Sequence, residues 1–494
     1  MLKLFNFNGG VKPDYHKAAS TGLPIGAVPL PAELVIPLHQ SIGGTPQPLV
    51  TVGEKVLKGQ RIGAADGNVS AAVHASTSGT IKAVEMRRMP HPSGLSALCV
   101  VIAPDGEEGW IERMAFDYRN ATPDVLRDYL RDAGIVGLGG AVFPSHLKLT
   151  PGKAGRLDTL VINGAECEPF ITCDDMQMRE RADGIIRGVM IMQEALCAGE
   201  ALIGIEDNKP EAIAAMQAAA AAFDTVQIRP VPARYPMGSE KQLIQVLTGR
   251  EVPADGRAFD IGVVVHNVGT ALAVRAAIRE GKPLISRLVT VNGNCASQPG
   301  NIEVRVGTLA EEVIAFAGGL KGDGLGLARR VMGGPMMGMQ IPHWRVPVVK
   351  GTSGILAFDA AEVAEQEPNP CIRCGSCVKA CPMGLLPLEM SSRIRNEAYT
   401  EAIDLGLKDC IACGCCAYVC PSKIPLVQYF VHAKGELAAQ DRAKLRTDAT
   451  KKLALHRQER LAREAREKAE VAAKRKAERE AAAAAKAAAE NVAG

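Results

Sequence analysis

Three kinds of hydrophobic patterning follow one another along the chain. Over residues 1–110 the apolar residues come in short runs, Leu49–Val52, Ala72–His74 and Thr80–Val84, parted by glycine-containing turns. Runs this short between turn residues predict strands, so an all-β module is expected. Over 111–285 the compact apolar runs Thr159–Asn163 and Ala201–Ile205 alternate with Ala182–Ala198 and Pro210–Phe223, whose apolar residues recur at helical spacing. That alternation predicts an α/β domain, where ligands sit beyond the carboxyl ends of the strands. Over 286–365 short strands return in Leu288–Gly293 and Glu303–Thr308, around a Pro299-Gly300 turn, with a helix near Leu309–Ala317. A small β-grasp unit is expected there. The linker Glu367-Pro-Asn-Pro introduces a cysteine-rich module, 366–435, and residues 436–494 form an Ala/Lys/Arg/Glu-rich tail.

With 494 residues, 47% of them hydrophobic, the chain has ample material for several cores. No apolar stretch reaches the ~18 residues of a membrane span: the best candidate, Ile261–Ile278, contains His266, Asn267 and Arg275. Any membrane role is therefore expected to be peripheral. No secretory signal peptide is recognised, which points to a reducing compartment. The net charge of +3 is uneven, because the stretch from Asp441 onward holds 15 Lys and Arg against 9 Asp and Glu. In this tail Arg460–Glu464, Arg463–Glu467, Glu464–Lys468 and Glu470–Lys474 are spaced i,i+4, which predicts a helix. Without a sustained apolar stripe it is not expected to form a coiled coil. A solvated helix and a basic arm touching anionic lipid or a partner subunit both remain open. No nucleic acid is expected, since no aromatic residue interleaves the charges.

Eight of the fourteen cysteines change the picture. Cys371, Cys374, Cys377, Cys381 and Pro382 form one run; Cys410, Cys413, Cys416, Cys420 and Pro421 form another. Each reads C-x2-C-x2-C-x3-C-P, the spacing by which bacterial ferredoxins hold [4Fe–4S] clusters, with each fourth cysteine ligating the other cluster. The expected sets are Cys371, Cys374, Cys377 and Cys420 for one cluster, and Cys410, Cys413, Cys416 and Cys381 for the second. A single such run would also suit zinc; two tandem copies do not favour it, and a disulfide framework is not expected either. Cys415 fits neither spacing and is read as a non-ligand. Two adjacent clusters imply one-electron transfer.

The second chemical feature is GLGGAVFPSHLK, Gly137–Lys148. Consecutive glycines admit a phosphate or flat ring to the backbone N–H groups. The loop is neither a P-loop nor a Rossmann fingerprint, and a purely structural turn remains open on chemistry alone. The acidic segment VINGAECEPFITCDD, Val161–Asp175, follows a predicted strand. Together the two segments resemble the flavin- and NADH-binding subunit of respiratory complex I, which carries G-G-x-G-F-P-x-G-x-K-W followed by N-A-D-E-x-E-P. The matching residues are Gly139, Gly140, Phe143, Pro144 and Lys148, then Asn163, Glu166, Glu168 and Pro169. Gly238-Ser239-Glu240 resembles its G-E-E, and His266–Thr270 its N-N-V-E-T. Two positions depart from the pattern: Ala165 stands for the aspartate of N-A-D-E, and Leu149-Thr150-Pro151 follow Lys148 where an aromatic is expected. Cys167 and Cys173 lack ligand spacing and are read as packed thiols.

Val52–Gly63 with Val73–Glu85 resembles the lipoyl/biotinyl barrel-sandwich fold, although the hairpin near Ala65-Asp66-Gly67 has no lysine to modify. The 286–365 segment resembles the soluble-ligand-binding β-grasp domains of respiratory flavoproteins. With the twin cysteine runs, GGPMMG at Gly333–Gly338 and the segment Pro347–Phe358, residues 1–432 resemble the C subunits of Rnf electron-transport complexes. The resemblance implies non-covalent FMN beside an NADH pocket, with Gly137, Gly139, Gly140, Phe143, Lys148, Asn163, Glu166, Glu168, Glu240 and Asn267 as binding residues and no catalytic side chain. Lys148 would meet the flavin phosphate or the reduced ring, and Asn163 and Asn267 the ring or phosphate. The glutamates would meet ribose hydroxyls or the nicotinamide amide, and Phe143 the adenine. It further implies a peripheral, NADH-facing electron-input subunit on the cytoplasmic face of the bacterial inner membrane. That subunit would serve an ion-translocating ferredoxin:NAD oxidoreductase and pass electrons to a partner iron–sulfur subunit. The alternative is a dicluster relay adaptor that binds no nucleotide.

Overall fold

A computed structural model describes residues 4–149 and 157–490; Thr150 and Pro151 lie outside the described residues. The chain divides into one unit drawn from residues 1–389 and 409–427 and a second drawn from 390–408 and 428–494.

In the first unit the N-terminal module is two facing antiparallel sheets. One runs Leu34–Pro37, Ser96–Pro104, Gly79–Arg88, Lys55–Val56; the other Gln47–Pro48, Arg61–Ala64, Val73–His74. Leu34, Ile36, Leu38, Ile62, Val73, Ile81, Val100 and Ile102 form the core between them. The expected Leu49–Val52 strand is corrected. Pairing occurs just before it, Gln47–Pro48 against Gly63–Ala64, and the chain then turns at Gly53, whose φ is +89°. Only Val50 enters the core, leaving Leu49 and Val52 48% and 64% exposed.

The α/β domain is a four-stranded parallel sheet in the order Val226–Val231, Glu200–Glu206, Thr159–Gly164, Val263–Asn267. Leu160, Val161, Ile162, Ile203, Ile205, Val263 and Val264 are buried, as the continuous apolar runs of a sheet covered on both faces require. The helix expected at Ala182–Ala198 begins nine residues earlier and spans Cys173–Leu196. Its first turns are polar in sequence and so lack the apolar signal. They are nonetheless packed: Asp175 and Gln177 are buried, and Asp175 pairs with Arg179 at 2.7 Å. Pro210–Ala220 stops three residues short of the expected end.

A six-stranded mixed sheet follows, ordered Gly26–Ala27, Gly300–Arg305, Ser286–Asn292, Gly354–Asp359, Leu327–Met332, Met339–Gln340, with the expected helix at Ala310–Phe316. The two cysteine runs then take one backbone form twice. Arg373 and Ala412 are left-handed at φ 55° and 54°, as are Gly375 and Gly414 at 76° and 79°. These glycines open the short helices Ser376–Ala380 and Cys415–Tyr418.

In the second unit Met390, Ile394, Ala402, Leu407, Phe430 and Ala433 are buried. The charged tail belongs to one helix, Leu426–Glu490. Every residue described over 441–488 is exposed, and Arg460 pairs with Glu464 at 3.7 Å. Among the described residues no helix is long and apolar enough to cross a membrane.

Candidate functional site

The Thr159–Gly164 and Val263–Asn267 strands are adjacent and in register, Asn267 opposite Asn163, so both asparagines arrive at the carboxyl end of the sheet. Asn267 caps the Val268–Glu280 helix, its Oδ1 accepting from Gly269 N at 2.8 Å. Its Nδ2 donates to Asp174 Oδ2 at 2.6 Å. Asn163 donates to the Gly238 carbonyl at 2.7 Å and accepts from Ala165 N at 3.1 Å. Both side-chain amides are thus engaged in shaping the floor of the site. The glycine-rich loop lies over this floor: a Cβ at Gly139 would sit 3.5 Å from Asn267 Cβ. The loop closes on itself through Gly137 N donating to the Phe143 carbonyl at 2.8 Å. Phe143 is half-buried, while Gly139 and Gly140 are exposed. Lys148 stands at the rim with its ammonium 2.7 Å from Glu240 and 3.3 Å from the Val265 carbonyl.

Glu166 and Glu168 take roles different from the hydroxyl-binding ones that the resemblance implies. Glu166 accepts from Asp174 N at 2.6 Å and Asp175 N at 3.1 Å, so its carboxyl group caps the long helix and explains the early helix start. Glu168 accepts from Met336 N at 3.0 Å and Met337 N at 2.9 Å, tying the acidic loop to the GGPMMG turn. Burial pushes Glu166 up to about 8, with Asp174 adding to it and Lys17 and Lys209 opposing it. Burial likewise pushes Glu168 up to about 7, against its two backbone hydrogen bonds. Asp174, Lys17 and Lys209 escape a motif reading because none belongs to a recognisable pattern. Lys209 is fully buried and donates to the Ala165 carbonyl at 2.7 Å and to Glu206 at 3.1 Å. Cys167 and Cys173 are packed thiols, the first accepting from Gly238 N at 3.3 Å.

A cavity of about 140 Å³ is lined by Cys371, Cys374 and Cys377 of the first run and Cys420 of the second. Cys371 and Cys374 are exposed. The remaining four cysteines also lie together. Burial pushes the Cys416 thiol up to about 12, with Cys413, Cys410 and Cys381 as the neighbours that add to it. Backbone N–H groups point at the sulfurs in matching places, Arg373 N at Cys371 (3.3 Å) and Ala412 N at Cys410 (3.4 Å). Cys415 is fully buried and occupies the repeat position of Ser376, whose hydroxyl lies 3.4 Å from Cys374 Sγ.

Two groups of four thiols, each with N–H donors at the sulfur, fit [4Fe–4S] clusters. The flavin site passes a similar test. Gly140 has φ +100° and open space where a Cβ would stand. His266 Nε2 is buried with no hydrogen-bond partner among the described residues, and Lys148 supplies a cation at the rim. A flat anionic ligand suits such a surface.

Four family models match the chain: "RnfC Barrel sandwich hybrid domain" over residues 5–107, "Nuo51 FMN-binding domain" over 130–276, "SLBB domain" over 288–340 and "4Fe-4S dicluster domain" over 370–424. A solved structure, an NAD+-reducing [NiFe]-hydrogenase in the air-oxidized state, is a partial likeness, with TM-score 0.42 and 22% identity over 58% of this chain and 55% of that one. The C subunit of the ion-translocating oxidoreductase complex of Pseudomonas aeruginosa is 47% identical over 94% of this chain, which spans 60% of that protein. The protein of the same name from Rhodobacter capsulatus is 48% identical over 90% of this chain and 85% of its own length. With the barrel-sandwich, flavin, β-grasp and dicluster parts all in place, the chain belongs to the family of ion-translocating oxidoreductase complex C subunits, electron-transfer subunits that carry FMN and iron–sulfur clusters.

Proposed function

We propose that this chain carries electrons between NAD(H) and a partner iron–sulfur subunit of a membrane-bound, ion-translocating NAD:ferredoxin oxidoreductase, from the cytoplasmic face of the bacterial inner membrane. The adjacency of its two sites carries the proposal. Cys167 of the acidic loop and Cys413 and Cys415 of the cysteine module belong to one apolar cluster with Ala165 and Tyr235, so the acidic loop packs directly against the cysteine module.

FMN, when bound, exchanges hydride with nicotinamide and single electrons with iron–sulfur clusters, a conversion neither partner performs alone. In this reading the chain's own groups bind and orient. The open backbone of Gly139 and Gly140 takes the flavin, Gly137 closes the loop behind them, and Lys148 offsets the flavin's negative charge. Asn163 and Asn267 hold the floor flat, and Glu240 and Phe143 stand at the rim toward the dinucleotide. Glu166 and Glu168 act by shaping the loop. Cys371, Cys374, Cys377 and Cys420 hold one cluster, and Cys410, Cys413, Cys416 and Cys381 the other.

Reconstitution of the full chain with iron and sulfide, then titration with FMN and NADH, tests this. One FMN per chain and about eight irons are expected, with NADH bleaching the flavin. A chain that keeps its irons and takes no flavin would instead be the dicluster relay adaptor.

A further inference from the structure

The Ala165–Ile171 loop is held in a strained form. Glu166 and Phe170 have φ of 47° and 63°, left-handed backbone that residues with a side chain adopt only when their surroundings impose it. Lys17 imposes it from outside the domain. Its ammonium donates to the carbonyls of Glu166 at 2.8 Å, Glu168 at 2.9 Å and Ile171 at 2.5 Å. An ammonium has three donors, so this one loop saturates Lys17. Lys209 fastens the loop's first carbonyl from the other side. Yet Lys17 stands far outside the 130–276 segment that matches the FMN-binding model.

The residues leading to Lys17 run along both sites. Phe5 N donates to the Val246 carbonyl at 3.0 Å, Gly10 N to the Ala380 carbonyl at 2.9 Å, and Val11 exchanges two backbone hydrogen bonds with Tyr235 at 2.8 and 2.9 Å. Gly9 has φ +69°, and a Cβ there would lie 2.4 Å from the Cys381 carbonyl oxygen; one at Gly10 would lie 2.7 Å from that of Tyr235. Tyr15 O accepts from Phe170 N at 2.7 Å, and the His16 ring stacks on Phe170 at 4.6 Å. The segment therefore touches the backbone of a cluster cysteine at one end and the acidic loop at the other.

We propose that residues 5–17 form a strap that holds the flavin-site loop in register with the cysteine module, and that Lys17 is its positioning residue for flavin binding. This deepens the flavin reading above and rests on it. The strap explains how a loop with two left-handed residues keeps one shape. It also makes the first residues of the chain part of a site whose recognisable motifs begin beyond residue 130.

The test is Lys17→Met, which keeps the length and removes the three donors, alongside His16→Ala as a milder change at the exposed end. FMN affinity by fluorescence titration, iron content, and hydrogen exchange of the 165–171 amides are measured on the full reconstituted chain. Lys17→Met is expected to raise the FMN dissociation constant roughly tenfold or more and to speed exchange at 165–171. Iron should stay at about eight per chain. His16→Ala should move the same readouts less, and it decides alone if Lys17→Met does not fold. FMN affinity within about twofold of the parent overturns the strap, as does faster exchange throughout the protein with loss of iron. A parent chain that takes up no FMN instead sinks the flavin reading and the strap with it, an outcome distinct from a parent and variants that bind equally.

Discussion

The buried hydroxyl of Tyr235 donates to the carbonyl oxygen of Cys413 at 2.7 Å. Tyr235, which shares an apolar cluster with Cys167 of the acidic loop, is thereby joined to the cysteine module through one hydrogen bond in an apolar setting. Tyr235→Phe leaves that carbonyl unsatisfied, at a cost of about 1–3 kcal/mol. A lower thermal midpoint is expected. The electron paramagnetic resonance signal of the cluster held by Cys413 should change more than that of the other cluster. Equal perturbation of both signals would count against a local effect.

The cysteine sets make a sharp prediction. Cys377→Ala and Cys420→Ala should each remove the same cluster, about four irons, and leave FMN bound, although the two residues lie in different runs. Cys381→Ala should remove the other cluster. Iron analysis with paramagnetic resonance distinguishes the sets, and loss of the first-run cluster in Cys381→Ala would overturn the crossed arrangement.

Lys148→Met and Asn163→Ala should both weaken flavin binding while both clusters survive, by different routes. Lys148→Met removes the rim cation with its ion pair to Glu240 and its long contact to the Val265 carbonyl, so stability should change by about 1 kcal/mol or less, the scale of an exposed ion pair. Asn163→Ala breaks the hydrogen bonds to Gly238 and Ala165 and should also cost about 1–3 kcal/mol. Calorimetric melting with flavin titration separates the two.

Lys350 predicts a pH dependence. Its ammonium is buried, donating to the carbonyls of Ala72 at 2.8 Å and Gly134 at 2.7 Å, and burial pushes it down to about 7 from an ordinary 10.5. Between those values the unfolded chain binds more protons than the folded one, so this group makes stability rise with pH across that window and contributes no slope below about 7. The slope is at most about 1.4 kcal/mol per pH unit. Melting midpoints from pH 7 to 9.5 should climb more steeply for the parent than for Lys350→Met. Parallel curves would show that Lys350 does not titrate in this window.

Deleting residues 441–494 should leave flavin affinity and iron content unchanged, because every residue described over 441–488 is exposed and a solvated helix contributes nothing to the packed site. Flavin titration and iron analysis of the shortened chain check this.

The dicluster module is legible in the sequence because metal-ligand spacing is a local property: three cysteines within seven residues can meet one metal group whatever the rest of the chain does. The strands at Thr159 and Glu200 and the helix at Ala310 are legible for the same reason, since periodicity is written within each element. The start of the helix at Cys173 is not, because a carboxylate from Glu166 makes it and the first turns carry no apolar stripe. Nor are the roles of Glu166 and Glu168, which read as free ligand groups until packing brings backbone N–H groups to both.

Sequence alone thus determined most of the strands and helices of the α/β domain, which cysteines are grouped by spacing, and which loop is rich in glycine. Tertiary structure alone decided which carboxylates remain available and where Lys17 is saturated, 149 residues from its first acceptor. Periodicity and ligand spacing are short-range consequences of backbone geometry. Burial and hydrogen-bond partnership across such a separation exist only once the chain has closed around them.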